Sequence, residues 1–377
     1  MEINFSLLGV GKIGVVHAWA SKAVSFSFDD INPEKIHLVG VYNRTVTKAE
    51  WAKKRFGFEY YTGDWKKILE DGKTNAVSIT LPNVYHEEPV IAFAERGVHI
   101  LCEKPIAATF EQAKRMYDIV SKTQVITIVP LVMRFMPTVA YVRELIEKGK
   151  LGKITHFRGV VGHSRYVNPD LPIEWRMKKA IAGGGALADV GIHLMDLARY
   201  LIGDIKELIA RTKTFIKKRK TKDGKEDVVD VDDAGILIME FENGALGSIE
   251  ASRMAPGFTE QQRIEIHGTK GGVRFALVNP FKLQLFEVDS PEKVVKEIEL
   301  KPWKHALWPP GKSVSGWGYL FVPLFHEFFT AIVENRKAKP DLEDALKAQE
   351  ILDEDKELKE EQKEFDAYVA EAQQLLE

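Results

Sequence analysis

Over the first 130 residues the chain alternates between two hydrophobic textures. Short, unbroken apolar runs occur at Ile3–Leu8, Ile36–Tyr42, Ala76–Leu81, Val98–Cys102 and Gln124–Val129. Between them, apolar positions recur three and four apart, from Lys12 to about Ala23, Thr45–Phe56, Tyr85–Glu95 and Phe110–Lys122. A run that is apolar at every position suits a strand covered on both faces, and a 3.6-residue period suits an amphipathic helix. Their alternation predicts a parallel sheet between two helical layers, doubly wound by right-handed crossovers.

Past Gly149 the texture changes. Strand-like segments follow one another at Ile154–His163, Leu208–Ile216, Gly235–Phe241, Leu246–Ala251, Arg263–His267, Leu283–Val288 and Val294–Leu300. Strands in succession predict a mostly antiparallel sheet. One helix, about Gly185–Leu201, interrupts them, and Tyr319–Leu376 reads helical with a highly charged end. The segment Lys217–Asp233, basic then acidic around Asp223-Gly224, reads as a charged hairpin tip. The domain boundary is expected near residue 130, giving units 1–130 and 131–377, with the last helices packing back on the first unit.

A length of 377 residues is too great for one ordinary core. A formal net charge of −2 supplies no field for nucleic acid or an anionic membrane. The single cysteine, Cys102, excludes an internal disulfide and a four-cysteine zinc site, and no His/Asp cluster has metal-ligand spacing. The N-terminus lacks the basic region of a signal peptide, and no window holds about 18 uninterrupted apolar residues. Cytoplasmic residence is expected.

Gly9-Val10-Gly11-Lys12-Ile13-Gly14 follows the first predicted strand and opens the first predicted helix. In this G-x-G-x-x-G pattern Gly9 allows the tight turn, Gly11 lets a pyrophosphate approach the backbone, and Gly14 lets helix and strand pack closely. The helix N-terminus offers free N–H groups to the phosphates. A nicotinamide dinucleotide is expected there. The carboxylate that would bind a ribose 2′-hydroxyl is missing from the end of the second strand, where Asn43 and Arg44 stand. These suit a 2′-phosphate, so NADP is favoured over NAD. His17 reads as a packing residue of the first helix.

Two more segments complete a constellation: Glu103-Lys104-Pro105 directly after a strand, and GGGALADVGIHLMDLARYL from Gly183 to Leu201. With the glycine loop, in this order and separation, they resemble the signatures of the glucose–fructose oxidoreductase / inositol dehydrogenase / MocA family over nearly the whole chain. The resemblance implies an N-terminal Rossmann doubly wound sheet plus a C-terminal α/β domain with a large open, mostly antiparallel sheet, the topology read above. It implies a homodimer or homotetramer through that sheet, and a sugar, inositol or related polyol as substrate. It places catalysis on Lys104, Asp189 and His193. Lys104 stands at a strand's C-terminal end, where open α/β sheets bind ligands. Asp189 and His193 are four apart and share a helix face, so the carboxylate can orient the imidazole and favour its charged form. His193 is expected to act as general base, Lys104 to stabilise the developing oxyanion, and Asp189 to position the substrate and His193.

Leu81, Pro82, Asn83 and His86 belong to a loop expected near the nicotinamide, together with Glu103. Arg134, Tyr166, Trp175 and Arg176 are candidates for substrate contact. Trp303, Trp308 and Trp317 could face a sugar ring or simply pack their loop. Two other readings use the same scaffold: a glycosidase that oxidises its substrate transiently, and a non-catalytic dinucleotide sensor.

Overall fold

The computed structural model describes residues 1–377 except 258, 292–293, 302, 305, 307–316 and 355–377. Its first sheet holds β1 (Ile3–Leu8), β2 (Ile36–Tyr42), β3 (Tyr60–Thr62), β4 (Ala76–Ile79), β5 (His99–Cys102) and β6 (Thr127–Ile128). All pair in parallel in the order β3-β2-β1-β4-β5-β6. The winding reverses beside β1, between β2 and β4, and the loops after β1 and β4 therefore face one crevice. Helices α1 (Lys12–Ser27), α2 (Val46–Phe56), α3 (Lys66–Glu70), α4 (Glu87–Glu95) and α5 (Phe110–Val120) cover the two faces. Local chemistry fixes their ends. Gly57, at φ 83°, closes α2, and the Thr109 hydroxyl accepts from Gln112 N at 3.2 Å to cap α5.

The second region begins with α6 (Pro137–Glu147), whose first residue is a proline, as is common at helix starts. It continues through β7 (Ile154–His163), α7 (Lys179–Ala182), α8 (Ile192–Ile202), β8 (Ile205–Lys213), β9 (Lys218–Lys220) and β10 (Glu226–Val228). The series ends with β11 (Ala234–Phe241), β12 (Leu246–Ser252), β13 (Thr259–Gly268), β14 (Gly271–Ala276), β15 (Lys282–Glu287) and β16 (Lys296–Glu299). The large sheet has the order β16-β15-β14-β13-β7-β12-β11-β8. Of its pairings only that of β7 and β12, next to the centre, is parallel. The expected charged hairpin is present as β9 and β10, turning at Gly224 with φ 85°.

Burial alternates along β11, so one face of the large sheet is covered and the other is open. The buried helix α8 lies on the covered face. The stretch Lys179–Ile202 is long and apolar enough to cross a membrane by length and composition, and 67% of its best window is buried inside the molecule. That burial is the mark of a core helix. The chain then returns through α9 (Phe321–Glu334) and α10 (Leu342–Glu354) to the first sheet. Phe5 of β1 meets Phe325 and Phe329 edge-on, at 5.6 and 6.0 Å between ring centroids. Gln349 of α10 donates to Ala107 O at 3.0 Å. One continuous apolar core therefore joins both sheets and stitches the C-terminal helices to the N-terminal half.

Candidate active site

The glycine loop is built as its spacing requires. Gly9 has φ 104°, and a Cβ there would lie 2.9 Å from the Thr80 carbonyl oxygen. A Cβ on Gly14 would lie 2.1 Å from Gly9 O, whereas one on Gly11 would meet nothing within 4 Å. Packing thus demands two of the glycines, and the third leaves space for whatever approaches the loop. Gly11 caps α1 without a side-chain hydrogen bond, and the first turn holds no acidic residue. The helix N-terminus therefore keeps its positive dipole end and N–H donors for an anion. These features fit the pyrophosphate of a dinucleotide. Asn43 braces the loop: its Oδ1 accepts from Val10 N at 2.9 Å and its Nδ2 donates to Thr45 O at 3.1 Å. Arg44 is exposed beside it.

Lys104 leaves the end of β5 on a buried scaffold. Lys104 N donates to Glu103 Oε2 at 3.0 Å. Glu103 Oε1 lies 3.0 Å from His17 Nε2, and His17 Nδ1 lies 2.7 Å from Ser78 Oγ. His17 does more than pack: it ties α1 to β4 and to the residue before the lysine. The Lys104–Pro105 peptide is cis. The Lys104 ammonium donates to the Asp189 carbonyl oxygen and stands 3.6 Å from Asp189 Oδ1.

Asp189 lies in a single π-helical turn, Leu187–Gly191, that leads into α8 and His193. Such bulged turns often sit at functional sites. Asp232 fixes this turn from outside. Its carboxylate accepts from Gly185 N at 2.8 Å and Leu187 N at 3.0 Å, and its carbonyl accepts from Ala186 N at 3.0 Å. Gly185 has no room for a side chain, since a Cβ would sit 1.9 Å from Asp232 O.

Burial alone would raise the Asp189 carboxyl, but Lys104, Arg176, Arg253 and His163 outweigh it and hold Asp189 down at about 2. For His193 the balance is reversed. Burial first, then the Lys104 ammonium, push the imidazole well below its ordinary value against the pull of Asp189. The expected charged form of His193 is therefore replaced by a neutral ring, with Nδ1 buried and unpartnered among the described residues.

These groups open on one cleft of about 280 Å³. Lys12, Ile13, Leu81, Asn83, Glu103, Lys104, Trp175, Arg176, Asp189 and His193 line it, and Trp317 joins them. Asn83 also ties the two regions, donating to Ala182 O at 2.8 Å. Pro82 immediately precedes the short turn Asn83–Tyr85. Other candidates are used elsewhere. His86 is buried between Leu81 O, at 2.7 Å, and Ile106 O, at 3.1 Å, so its ring braces the loop instead of facing the cleft. Arg134 is spent on Asp196, at 2.9 and 2.5 Å, and on Asp344, at 3.2 Å. Tyr166 is buried in a small cluster with Met177, Val229 and Val231. Trp303 packs on Phe281 and donates to Phe135 O at 2.6 Å. Trp308 lies outside the described residues. The sequence reading did not find His163, Gln262 and Arg253. The first two line the cleft from β7 and β13, and Arg253 reaches Asp189 from the end of β12. No local motif marks them, because strand pairing over long sequence separations brings them together.

A doubly wound sheet with an open glycine loop, beside a second sheet whose covering helix carries an Asp–His pair, defines a dinucleotide-dependent oxidoreductase. Comparison with known proteins makes the class specific. The model of an oxidoreductase family with an NAD-binding Rossmann fold matches residues 3–131, and that of the GFO/IDH/MocA C-terminal domain matches residues 139–274. The chain is similar to levoglucosan dehydrogenase of Pseudarthrobacter phenanthrenivorans, at 35% identity covering 93% of this chain and 95% of that protein. It is 30% identical to scyllo-inositol 2-dehydrogenase (NAD(+)) of Bacillus subtilis over 72% of this chain and 73% of that one. A solved levoglucosan dehydrogenase in complex with NADH and L-sorbose superposes with a TM-score of 0.91, at 35% identity over 95% and 96% of the two chains. The chain belongs to the Gfo/Idh/MocA family of oxidoreductases.

Proposed function

We propose that the chain catalyses the reversible, nicotinamide-dependent conversion of a secondary hydroxyl to a carbonyl on a sugar, inositol or related polyol. The observation that carries this reading is convergence: the Lys104 ammonium and the neutral His193 imidazole open on the cleft whose other end is the glycine loop. Gly9, Gly11, Lys12, Ile13 and Gly14 would hold NAD(P), which when bound would supply the acceptor for the hydrogen and electron pair that leave the substrate carbon. His193, neutral through its burial, takes the hydroxyl proton as general base. Lys104 donates to the same oxygen as its charge grows. Asp189 remains ionised and holds the lysine. Trp175 and Trp317 offer aromatic faces to the apolar side of a ring. In the reverse direction His193 returns the proton.

Cofactor choice turns on the end of β2. No carboxylate stands there to repel a 2′-phosphate, and Asn43 is committed to the glycine loop, which leaves the exposed Arg44 to receive one. NADP is the expected preference. The relatives' substrates support a sugar or cyclitol, and the open face of the large sheet supports a homodimer or homotetramer.

The test is absorbance of reduced nicotinamide. The protein is incubated with NAD or NADP and levoglucosan, myo-inositol, scyllo-inositol, D-glucose or D-xylose, with Lys104→Ala as control. A signal that is faster with NADP and is lost in the control is expected. Cofactor binding with no reduction by any of these compounds would overturn the reading.

A further inference from the structure

Arg253 is among the largest fully buried side chains, with an exposure of 0%. Its guanidinium donates to Arg176 O at 3.2 Å and to Asp232 O at 3.0 Å, and stacks 4.7 Å from the Tyr166 ring centroid. Neither carbonyl needs a full charge to be satisfied. Removing a guanidinium from water costs several kcal/mol, so a neutral donor would tie these carbonyls at less cost. Among the described residues, the carboxylate within reach of this buried charge is Asp189, whose Oδ2 lies 3.9 Å from Nη1.

The cations around Asp189 are divided between its oxygens. Lys104 and Arg176 both face Oδ1, at 3.6 and 3.8 Å, and both are partly exposed. Arg253 faces Oδ2 and is held there by two carbonyls and a ring. The other charged or titratable groups acting on Asp189 are His163 at the end of β7, Arg165 and Tyr166 just beyond it, and His193 in α8. Lys104 is the one cation of this set that the reaction asks to serve a substrate oxygen.

We infer that Arg253 is a positioning residue of the active site: its fixed charge on Oδ2 keeps Asp189 ionised and oriented while Lys104 turns to the substrate. The inference rests on the oxidation chemistry proposed above. When Lys104 swings toward the reacting oxygen, Asp189 keeps a buried counter-charge and does not take up a proton. Lys104 therefore has a carboxylate to return to after each turnover.

The experiment follows Asp189 itself. The carboxyl C=O stretch is recorded by infrared difference spectroscopy against pH in NADH-loaded protein and assigned by its loss in Asp189→Asn. It is then measured in Arg253→Gln, which keeps donors for both carbonyls, and in Arg253→Lys, which keeps the charge. Arg253→Met serves as a second neutral variant if the glutamine protein does not bind NADH. The neutral variant is expected to titrate Asp189 at least about one unit higher, a tenfold change in proton affinity. Its kcat is expected to fall about tenfold or more, with KM within about threefold, while Arg253→Lys restores most of both. An unmoved Asp189 titration in a neutral variant that binds NADH would overturn the inference, as would a lysine variant as impaired as the neutral one. The infrared readout needs no turnover. A shifted Asp189 in a protein that oxidises no sugar would sink the proposed reaction and leave the role of Arg253 standing.

Discussion

The base role proposed for His193 rests on its being in the wrong place for a charge. Its burial and the nearby ammonium both oppose protonation, and the carboxylate one turn away only partly compensates. A base held neutral in this way stays competent where an ordinary imidazole, with a pKa of about 6.5, would already be protonated. A lowered pKa means that activity in the oxidation direction is present above that pKa and is lost only as pH falls through it. The profile of kcat/KM for sugar oxidation is therefore expected to stay level through about pH 6.5 and to bend only at more acidic values. A bend above pH 7, abolished in His193→Gln, would contradict the lowered pKa of His193. At this scale the sequence was most informative where chemistry is local: Gly9, Gly11, Gly14, Lys104 and the Asp189–His193 spacing all announce themselves. Arg134 was misleading because its partners, Asp196 and Asp344, lie 62 and 210 residues away. A basic residue in an apolar loop reads the same whether it awaits a substrate or an ion pair.

The glycine loop shows how an element divides its tasks between packing and binding. Gly14 touches Gly9 so closely that any side chain must displace backbone, whereas Gly11 faces open space. Gly11→Ala is therefore expected to leave the melting temperature almost unchanged and to weaken NADH binding by about tenfold or more, read by fluorescence titration. Gly14→Ala should instead lower the melting temperature, on the scale of about 1–3 kcal/mol for overpacking. Equal effects on stability would refute the division. Long apolar runs made β1, β2, β4 and β5 readable. The three residues of β3 are too few to show a period, and the alternation reading assigns nothing between Val129 and Gly149, although Val139, Val142 and Leu145 follow Pro137 three apart in α6. The π turn before α8 escapes a 3.6-residue template altogether. Its shape depends on Asp232, more than 40 residues away, binding the N–H groups of Gly185 and Leu187.

In the whole molecule, the C-terminal helices complete the N-terminal half, so the two regions share one core and the cleft runs between them. The large sheet meets this core on one face only. On its other face Ile209, Ile236, Ile238 and Leu246 are each more than half exposed, and Ile209 and Ile238 are direct partners across β8 and β11. An apolar patch of this kind is where the proposed homo-oligomer would associate. Ile238→Glu is expected to shift sedimentation from oligomer to monomer while preserving NADH binding. A monomeric parent protein, or a variant that sediments like it, would remove this face from the account. The sheet itself was legible from its strand succession. The parallel pairing of β7 and β12 beside its centre was not, because the intervening connection carries no period that specifies direction.

The central claim, direct transfer from a sugar carbon to the nicotinamide, is tested most directly by isotope. Levoglucosan, myo-inositol and D-glucose carrying deuterium on every carbon are incubated with the protein and each oxidised cofactor, and the recovered nicotinamide is weighed by mass spectrometry. One deuterium in the reduced cofactor, absent with Lys104→Ala, is the predicted result. Binding of these sugars to the cofactor-loaded protein without any label in the nicotinamide would contradict it.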